Sequence, residues 1–283
     1  MATHPLLCAF RSSTPAFGAW ISLPGSLVAR CVAKSSPHLS WVVFDCEHGA
    51  ITLQPGATEA IQAIGVDGPS VIVRVPATGA SDSTSWQIKY ALDAGARGVL
   101  VSTAEQAASI VADARFPPLG RRGFGSPFAP INWGLKPFEY VNAANSDVQV
   151  MVQIENKEGV ANAKAIAEVP GIDVLFIGPF DLAMALGLPP PVPAPSAELE
   201  EVLSQILVAA HGAGKKWYVL LGQTKSKCRD TDAVISGIFC SGGAAAARRA
   251  AQGFDMISVI TDYDALTAGV ASQLQIASNA PKL

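Results

Sequence analysis

The chain has 283 residues, a length typical of one large domain or two small ones. Hydrophobic residues make up 49% of the chain and charged residues 15%, so most of it can be buried in a core. The formal net charge is −3 and the Lys and Arg residues are scattered. Nucleic-acid binding is therefore not expected, because no basic surface is available for phosphates. No apolar run reaches the ~18 residues that a membrane span needs.

The N-terminal residues and the cysteines favour a soluble protein of the cytoplasm. The opening MATHPLLCAFRSSTPAF lacks the basic start and long apolar core of a secretory signal, and we favour the cytoplasm over an organellar presequence. The cysteines are odd in number and show no paired spacing, so neither a disulfide framework nor a cysteine zinc site is predicted. They are Cys8, Cys31, Cys46, Cys228 and Cys240.

Short apolar runs alternate with helical patterns along the chain. The helical patterns, such as SDSTSWQIKYALDAGA, begin with cap residues and repeat apolar residues at helical spacing. Near-continuous apolar strands are typical of a parallel sheet covered by helices. The predicted strands are AWISL (19–23), WVVFD (41–45), SVIVRV (70–75), GVLVS (98–102), VQVMVQIE (148–155), VLFIG (174–178) and MISVITD (256–262).

The alternation predicts a (β/α)₈ TIM barrel as one domain over residues 1–283. Eight such units in about 250 residues is the usual size of this fold. A doubly wound open sheet is the alternative, and it is weakened because no GxGxxG follows the first strand. Two candidates compete for the seventh strand, WYVLL (217–221) and GIFC (237–240).

Polar side chains stand at the ends of several predicted strands, where a barrel carries its active site. A plain surface turn after WVVFD would be expected to hold Gly, Asn, Ser or Pro. Strand-end carboxylates are by pattern alone as consistent with helix caps as with metal ligands, and a lone Arg is more often a structural ion-pair partner. The strand-end residues are Asp45, Glu47, His48, Arg74, Gln153, Glu155 and Asp181.

An ordered set of motifs covers nearly the whole chain: GAWISL, FDCEHGA, VIVRVP, ALDAGARGVLV, RFPPLGRRGFG, VQIENKEGVAN, FIGPFDLA and GFDMISVITD. With this set the chain resembles the HpcH/HpaI aldolases, which are metal-dependent class II pyruvate aldolases with a barrel fold. The resemblance implies reversible cleavage of a 4-hydroxy-2-oxo acid into pyruvate and an aldehyde.

The resemblance also implies roles for individual residues. Glu155 and Asp181 would hold the metal, Arg74 would contact the oxo acid, and His48 would act as acid and base with Asp93 as its partner. Asp45 and Glu47 would support the site through water. Residues implied to bind substrate are Trp20, Ser126, Gln153, Gly178, Pro179 and Phe180.

The residue types suit this chemistry. Two carboxylates with water and substrate oxygens form a hard site for Mg²⁺ or Mn²⁺, with Co²⁺ tolerated. A histidine can remove the proton of the C4 hydroxyl. No lysine stands at a matching strand end, so a Schiff-base mechanism is disfavoured.

Two features extend or depart from the family pattern. Residues 217–236 separate a GKK-like helix end from a GIFC-like strand and form an atypical insertion, either a genuine loop or a gene-model artefact. The segment 263–278 is an expected helix for exchange between subunits of a homo-oligomer, a hexamer by resemblance. The alternatives to an aldolase are an acyl-CoA lyase of the citrate-lyase type and a catalytically impaired barrel with a binding role.

Overall fold

A computed structural model describes residues 4–76, 84–102, 106–213 and 233–279. Eight parallel strands form a closed barrel in the order β1 to β8, each paired with its neighbours along the chain and β8 paired with β1. The predicted (β/α)₈ fold is therefore confirmed. The strands are β1 Ala16–Ile21, β2 Trp41–Asp45, β3 Ser70–Val75, β4 Gly98–Val101, β5 Gln149–Ile154, β6 Val174–Ile177, β7 Ile235–Phe239 and β8 Met256–Thr261.

Helices connect and cover the strands, and a short irregular turn at Leu53–Ala57 precedes α3. Within the described ranges, none of them is both long and apolar enough to cross a bilayer. They are α1 Pro5–Ser12, α2 Ser26–Ala33, α3 Thr58–Ile64, α4 Thr84–Asp93, α5 Ala107–Ala114, α6 Phe128–Asn132, α7 Pro137–Asp147, α8 Lys157–Ala167, α9 Pro179–Leu186, α10 Ala197–Gly212, α11 Gly243–Ala251 and α12 Asp262–Ser278.

The seventh strand contains the GIF of the GIFC candidate. It pairs with β6 through Ile177 and Ile238 and with β8 through Phe239 and Ser258. The strand begins at Ile235, so the last two residues of the segment assigned to the insertion belong to β7. The competing WYVLL candidate and residues 217–232 of that segment lie outside the described residues.

The barrel interior is filled by large side chains. Trp41, Phe176, Leu100 and Met151 are fully buried in one cluster inside the strands. Gly237 makes room for the ring of Phe176, because a Cβ at this position would collide with that ring. The interior is consequently a packed core, as expected for a barrel of this size.

Helix α1 closes the N-terminal end of the barrel. Leu6 and Phe10 pack into the interior cluster, and the Nδ1 atom of buried His4 lies 2.8 Å from the hydroxyl of Ser70 at the start of β3. Burial lowers the pKa of His4 to about 3, so the ring is neutral at ordinary pH. Ligands must therefore approach from the opposite end, where the strands terminate.

Candidate active site

A pocket of about 220 Å³ opens at the C-terminal end of the strands. Its lining comes from β1, β2, β3, β5, β6, β7 and β8 or from the residues that follow them. Most of the strand-end residues singled out in the sequence meet here. The lining residues are Trp20, Ser22, Asp45, His48, Arg74, Gln153, Phe176, Gly178, Pro179, Phe180, Asp181, Phe239 and Thr261.

Asp45 organises one side of this pocket. Its carboxylate accepts hydrogen bonds from the Nε1 of Trp20 at 3.0 Å, from the Nε and Nη2 of Arg74 at 3.0 and 2.5 Å, and from the backbone N–H groups of Glu47 and His48 at 3.1 and 3.0 Å. Burial raises the pKa of Asp45, but the hydrogen bonds and charge of Arg74 outweigh it and hold the pKa below its usual value. Asp45 is therefore an ionised anchor for its neighbours.

Arg74 is held rigidly between two acids. Its Nη1 lies 3.3 Å from the Oε2 of Glu47, in addition to its two hydrogen bonds to Asp45. The guanidinium carbon lies 5.0 Å from the ring centre of Trp20, a cation–π distance. These contacts fix a positive charge at the pocket while only 7% of the residue is exposed.

Glu47, which follows β2, is itself held by a residue two strands further along the barrel. The hydroxyl of Ser102, which follows β4, donates a hydrogen bond of 2.9 Å to the Oε2 of Glu47. Sequence reasoning did not place Ser102 among the site residues. The contact joins residues 55 positions apart, so only the closed barrel reveals that Ser102 supports Glu47.

His48 presents an exposed ring on a backbone held by Asp45. Its N–H is bonded to Asp45, whereas its side chain is 71% exposed and its Nε2 lies 3.9 Å from the Oε2 of Glu47. The ring lines the pocket, and the Glu47 oxygen nearest to it is also the one that Arg74 approaches. The ring can therefore meet a substrate hydroxyl at the pocket mouth.

Glu155 and Asp181 form the acidic side of the site. Glu155 directly follows β5, and Asp181 lies in the first turn of α9. Gln153 donates from its Nε2 to the Oε2 of Glu155. Burial, together with the charges of Asp181 and Glu47, raises the pKa of Glu155 to about 7. Two carboxylates that repel each other in a partly buried site are a natural place for a cation.

The donor set fits a hard divalent cation that leaves positions for water and substrate. Carboxylate oxygens suit Mg²⁺ and Mn²⁺, and the buried Oε1 of Gln153 has no hydrogen-bond partner within the described residues. No group of three or more His, Cys, Asp or Glu side chains with metal-binding geometry occurs in the described part of the chain. Glu155 and Asp181 would therefore share the cation with non-protein ligands.

Asp93 and Ser126 lie apart from this pocket. Asp93 ends α4, where it pairs with Lys89 at 2.5 Å and with the buried Arg122 at 2.9 Å, and the hydroxyl of Ser126 donates to its backbone carbonyl. Both residues line a second pocket of about 550 Å³ that shares no residue with the first. The implied contact of Asp93 with His48 is absent from the hydrogen bonds and ion pairs of the described residues.

Aromatic side chains form the remaining wall of the first pocket. The rings of Trp20 and Phe176 are 5.7 Å apart, those of Trp20 and Phe239 5.4 Å, and those of Phe239 and Phe180 6.3 Å. Sequence reasoning missed Phe176 and Phe239. The expectation that site residues stand at strand ends would have identified Phe239, the last residue of β7, if the seventh strand had been assigned.

Comparison with known proteins gives consistent matches. The family model described as HpcH/HpaI aldolase/citrate lyase matches residues 19–233. A hydroxypyruvate/pyruvate aldolase of Rhizorhabdus wittichii is 32% identical over 257 residues, which is 90% of each chain. A 4-hydroxy-2-oxovalerate aldolase of Novosphingobium aromaticivorans is 42% identical over 184 residues, 64% of this chain and 66% of that protein.

Solved structures agree with the sequence matches. The crystal structure of an HpcH/HpaI aldolase/citrate lyase family protein from Burkholderia cenocepacia superposes with a TM-score of 0.79 at 29% identity and covers 98% of this chain and 100% of that chain. An HpcH/HpaI aldolase from Desulfitobacterium hafniense gives a TM-score of 0.74 at 26% identity, with 95% of both chains covered. The chain belongs to the HpcH/HpaI aldolase/citrate lyase family.

Proposed function

We propose that this protein is a metal-dependent aldolase that reversibly cleaves a 4-hydroxy-2-oxo acid into pyruvate and an aldehyde. The observation that carries the proposal is the meeting of two repelling carboxylates, a fixed guanidinium and an exposed histidine around one pocket. The aldolase names of the relatives support pyruvate as the common product. They favour this activity over an acyl-CoA lyase or an inactive barrel.

Glu155 and Asp181 are the proposed ligands of the divalent cation, Mg²⁺ or Mn²⁺ with Co²⁺ accepted. When bound, the cation would supply Lewis-acid charge beside the oxygens of the oxo acid. Gln153 holds Glu155 by its hydrogen bond and so keeps this carboxylate directed to the site. The raised pKa of Glu155 means that this group must lose a proton before it can serve as a ligand.

Arg74 and the start of α9 are the proposed holders of the oxo acid. Arg74 cannot swing away, because Asp45 and Glu47 fix its guanidinium. Its charge is then already in place where negative charge develops on the enolate oxygen. The first backbone N–H groups of α9, at Phe180 and Asp181, suit the substrate carboxylate because helix N-termini attract anions.

His48 is the proposed acid and base. In the cleavage direction it takes the proton of the C4 hydroxyl, the C3–C4 bond breaks, and the aldehyde leaves. The electron pair of that bond remains on the pyruvate enolate, which takes up a proton at C3 to give pyruvate. The exposed ring on a backbone held by Asp45 is suited to this transfer at the pocket mouth.

The test is exchange of the C3 protons of pyruvate in D₂O, followed by NMR with Mn²⁺ and again with EDTA. It measures enolate formation without any knowledge of the aldehyde. We expect metal-dependent exchange that Glu155→Gln abolishes. Absence of exchange from a folded protein with Mn²⁺ present would refute the proposal in favour of the inactive barrel, and CoA-dependent turnover would favour the acyl-CoA lyase.

We further propose a homo-oligomer, a hexamer by analogy with the family. The helix α12 exposes apolar residues spaced three or four apart, so they follow one face. Size-exclusion chromatography of the wild type should give a species larger than the monomer. The double substitution Leu266→Glu and Leu274→Glu should reduce the size of that species. A wild-type monomer at micromolar concentration would refute this proposal. The exposed apolar residues are Tyr263, Leu266, Val270 and Leu274.

We propose that His48 of one copy of the chain pairs with Asp93 of a second copy. Helix α4 carries the chain from the end of β3 back towards the start of β4, so Asp93 lies away from the strand ends that deliver His48. A mixture of His48→Ala and Asp93→Asn chains, inactive alone, should recover part of the activity when assembled together. Failure to recover it in a verified mixed oligomer would exclude a shared site.

A further inference from the structure

The aromatic wall of the active-site pocket runs without a break from the barrel core to the mouth. Its inner end is Trp41, fully buried and 6.2 Å from the ring centre of Phe176. Trp20 and Phe239 continue the wall through edge or tilted contacts, and Phe180 ends it 6.3 Å from Phe239. The rings therefore form one continuous apolar surface.

The outermost ring is open to incoming molecules. Phe180 is 37% exposed, whereas Phe176 and Trp20 behind it are almost completely buried. Phe180 also precedes Asp181 directly in the first turn of α9. An exposed apolar surface thus stands beside the proposed metal ligand.

The opposite side of the pocket offers little to a charged acceptor. Among the described lining residues, Arg74 is the single Lys or Arg, and its guanidinium, fixed by Asp45 and Glu47, is the proposed partner of the oxo acid. Asp181 and the nearby Glu155 add negative charge at the same site. An aldehyde that carries a second carboxylate would meet acids and no uncommitted guanidinium or ammonium group among these lining residues, which disfavours it strongly in a partly buried site.

Aldehydes rich in hydroxyl groups are also poorly matched. On the aromatic side the lining hydroxyls are those of Ser22 and Thr261. The Thr261 hydroxyl already donates to Asp264 and accepts from its backbone N–H as the cap of α12. Of these two hydroxyls only that of Ser22 is left for a substrate, so a chain of several hydroxyl groups placed against the rings would lose more hydrogen bonds with water than it gains.

We infer that the acceptor aldehyde is neutral and carries an aromatic ring or a comparably flat apolar group, which packs against Phe180 and Phe239. The inference rests on the proposed aldolase function and names the substrate class of that same site. The oxo acid would occupy the side of Arg74 and Asp181. The apolar substituent on C4 would face the wall of rings.

The test compares three acceptors with pyruvate and Mn²⁺: benzaldehyde, D-glyceraldehyde and succinic semialdehyde. The rate of aldol formation gives kcat/KM for each, and pyruvate C3 exchange is measured in the same samples. We expect benzaldehyde to exceed the other two by about tenfold, which is near the upper end of what one favourable aromatic contact contributes. A preference for succinic semialdehyde or D-glyceraldehyde would overturn the inference.

Variants of the wall test its mechanism. Phe180→Ala should lower the ratio of kcat/KM for benzaldehyde to that for D-glyceraldehyde by about tenfold, with each rate normalised to C3 exchange in the same variant. Phe239→Leu keeps an apolar side chain without the ring and should lower the ratio less. The matched control is Phe138→Ala, an exposed phenylalanine of α7 outside the pocket lining, which should leave the ratio unchanged.

The two proposals fail in different ways. If C3 exchange is absent in the wild type, the aldolase function fails and the acceptor assignment falls with it. If exchange is present but Phe180→Ala and Phe138→Ala change the acceptor ratio equally, the aldolase function stands and the aromatic wall does not select the acceptor.

Discussion

Replacement of Asp45 by asparagine should destabilise the protein by about 3 kcal/mol. Asp45 is 3% exposed and accepts hydrogen bonds from Trp20, Arg74 and two backbone N–H groups. Removing one partner of a buried ion pair costs about 3–5 kcal/mol. We expect the lower value because Glu47 remains 3.3 Å from the Nη1 of Arg74 and partly compensates its charge.

The substitution changes chemistry and leaves shape almost unchanged. The amide keeps one acceptor oxygen. Its NH₂ group, however, would face N–H donors that hydrogen-bond to the carboxylate in the wild type. For a chain of this size, a loss of about 3 kcal/mol corresponds to a fall in Tm of roughly 6–12 °C. Differential scanning fluorimetry at pH 7 measures it, and chemical unfolding gives the free energy.

The effect should depend on pH in a defined direction. The pKa of Asp45 is held below its usual value by Arg74, so its contribution to stability is present above about pH 4 and is lost as pH falls through the folded-state pKa. The difference between wild type and Asp45→Asn should therefore shrink in acid. The difference should shrink because the wild type loses stability in acid, whereas the stability of the variant does not depend on this carboxylate.

A surface pair supplies the matched control. Asp147 lies 3.5 Å from Arg11, with side chains 30% and 47% exposed. Such exposed pairs contribute about 1 kcal/mol or less, so Asp147→Asn should lower Tm only slightly. If Asp45→Asn cost no more than Asp147→Asn, the reasoning that Asp45 anchors a buried network would be refuted.

Three further predictions concern the proposed metal site and its support. Mn²⁺ affinity, measured by calorimetry, should fall about tenfold per pH unit below about 7, because the raised pKa of Glu155 makes protons compete with the cation; a flat profile between pH 5 and 7 would contradict this. Gly178→Ala should weaken Mn²⁺ binding about tenfold, since a Cβ would lie 2.5 Å from the Nε2 of Gln153 and 3.2 Å from the Oε2 of Glu155. Unchanged affinity would show that the loop accommodates the Cβ without displacing these side chains. Ser102→Ala should lower stability by about 1–2 kcal/mol in chemical unfolding, because Glu47 loses a donor, whereas Ser102→Thr should keep most of it; equal losses would mean that the hydroxyl is not the cause.

The strands and the polar side of the pocket were accessible from sequence. Apolar runs of strand length alternate with helical patterns, and this alternation predicts the barrel. Because a barrel gathers its strand ends, Asp45, Arg74 and Asp181 could be predicted to meet although they are far apart in the chain. The resemblance added roles to these residues, which remain predictions.

The seventh strand and the aromatic wall were not accessible in this way. WYVLL and GIFC have the same local character, and pairing of Ile235–Phe239 with β6 and β8 distinguishes the second from a plain apolar run. Without that assignment, Phe239 could not be recognised as a strand-end residue. Phe176 points into the barrel and looks in sequence like any core residue.

For Asp93, the role implied by the resemblance does not match its contacts within one chain. The sequence places it in ALDAGA and the resemblance gives it to His48, but the structure pairs it with Lys89 and Arg122 in a separate pocket. Apart from the seventh strand, sequence alone predicted which runs form strands and which titratable groups stand at their ends, because periodicity and composition are local properties. Tertiary structure alone decided which side chains meet, such as Ser102 with Glu47 and Phe239 with Trp20, because these contacts depend on the closure and register of the barrel.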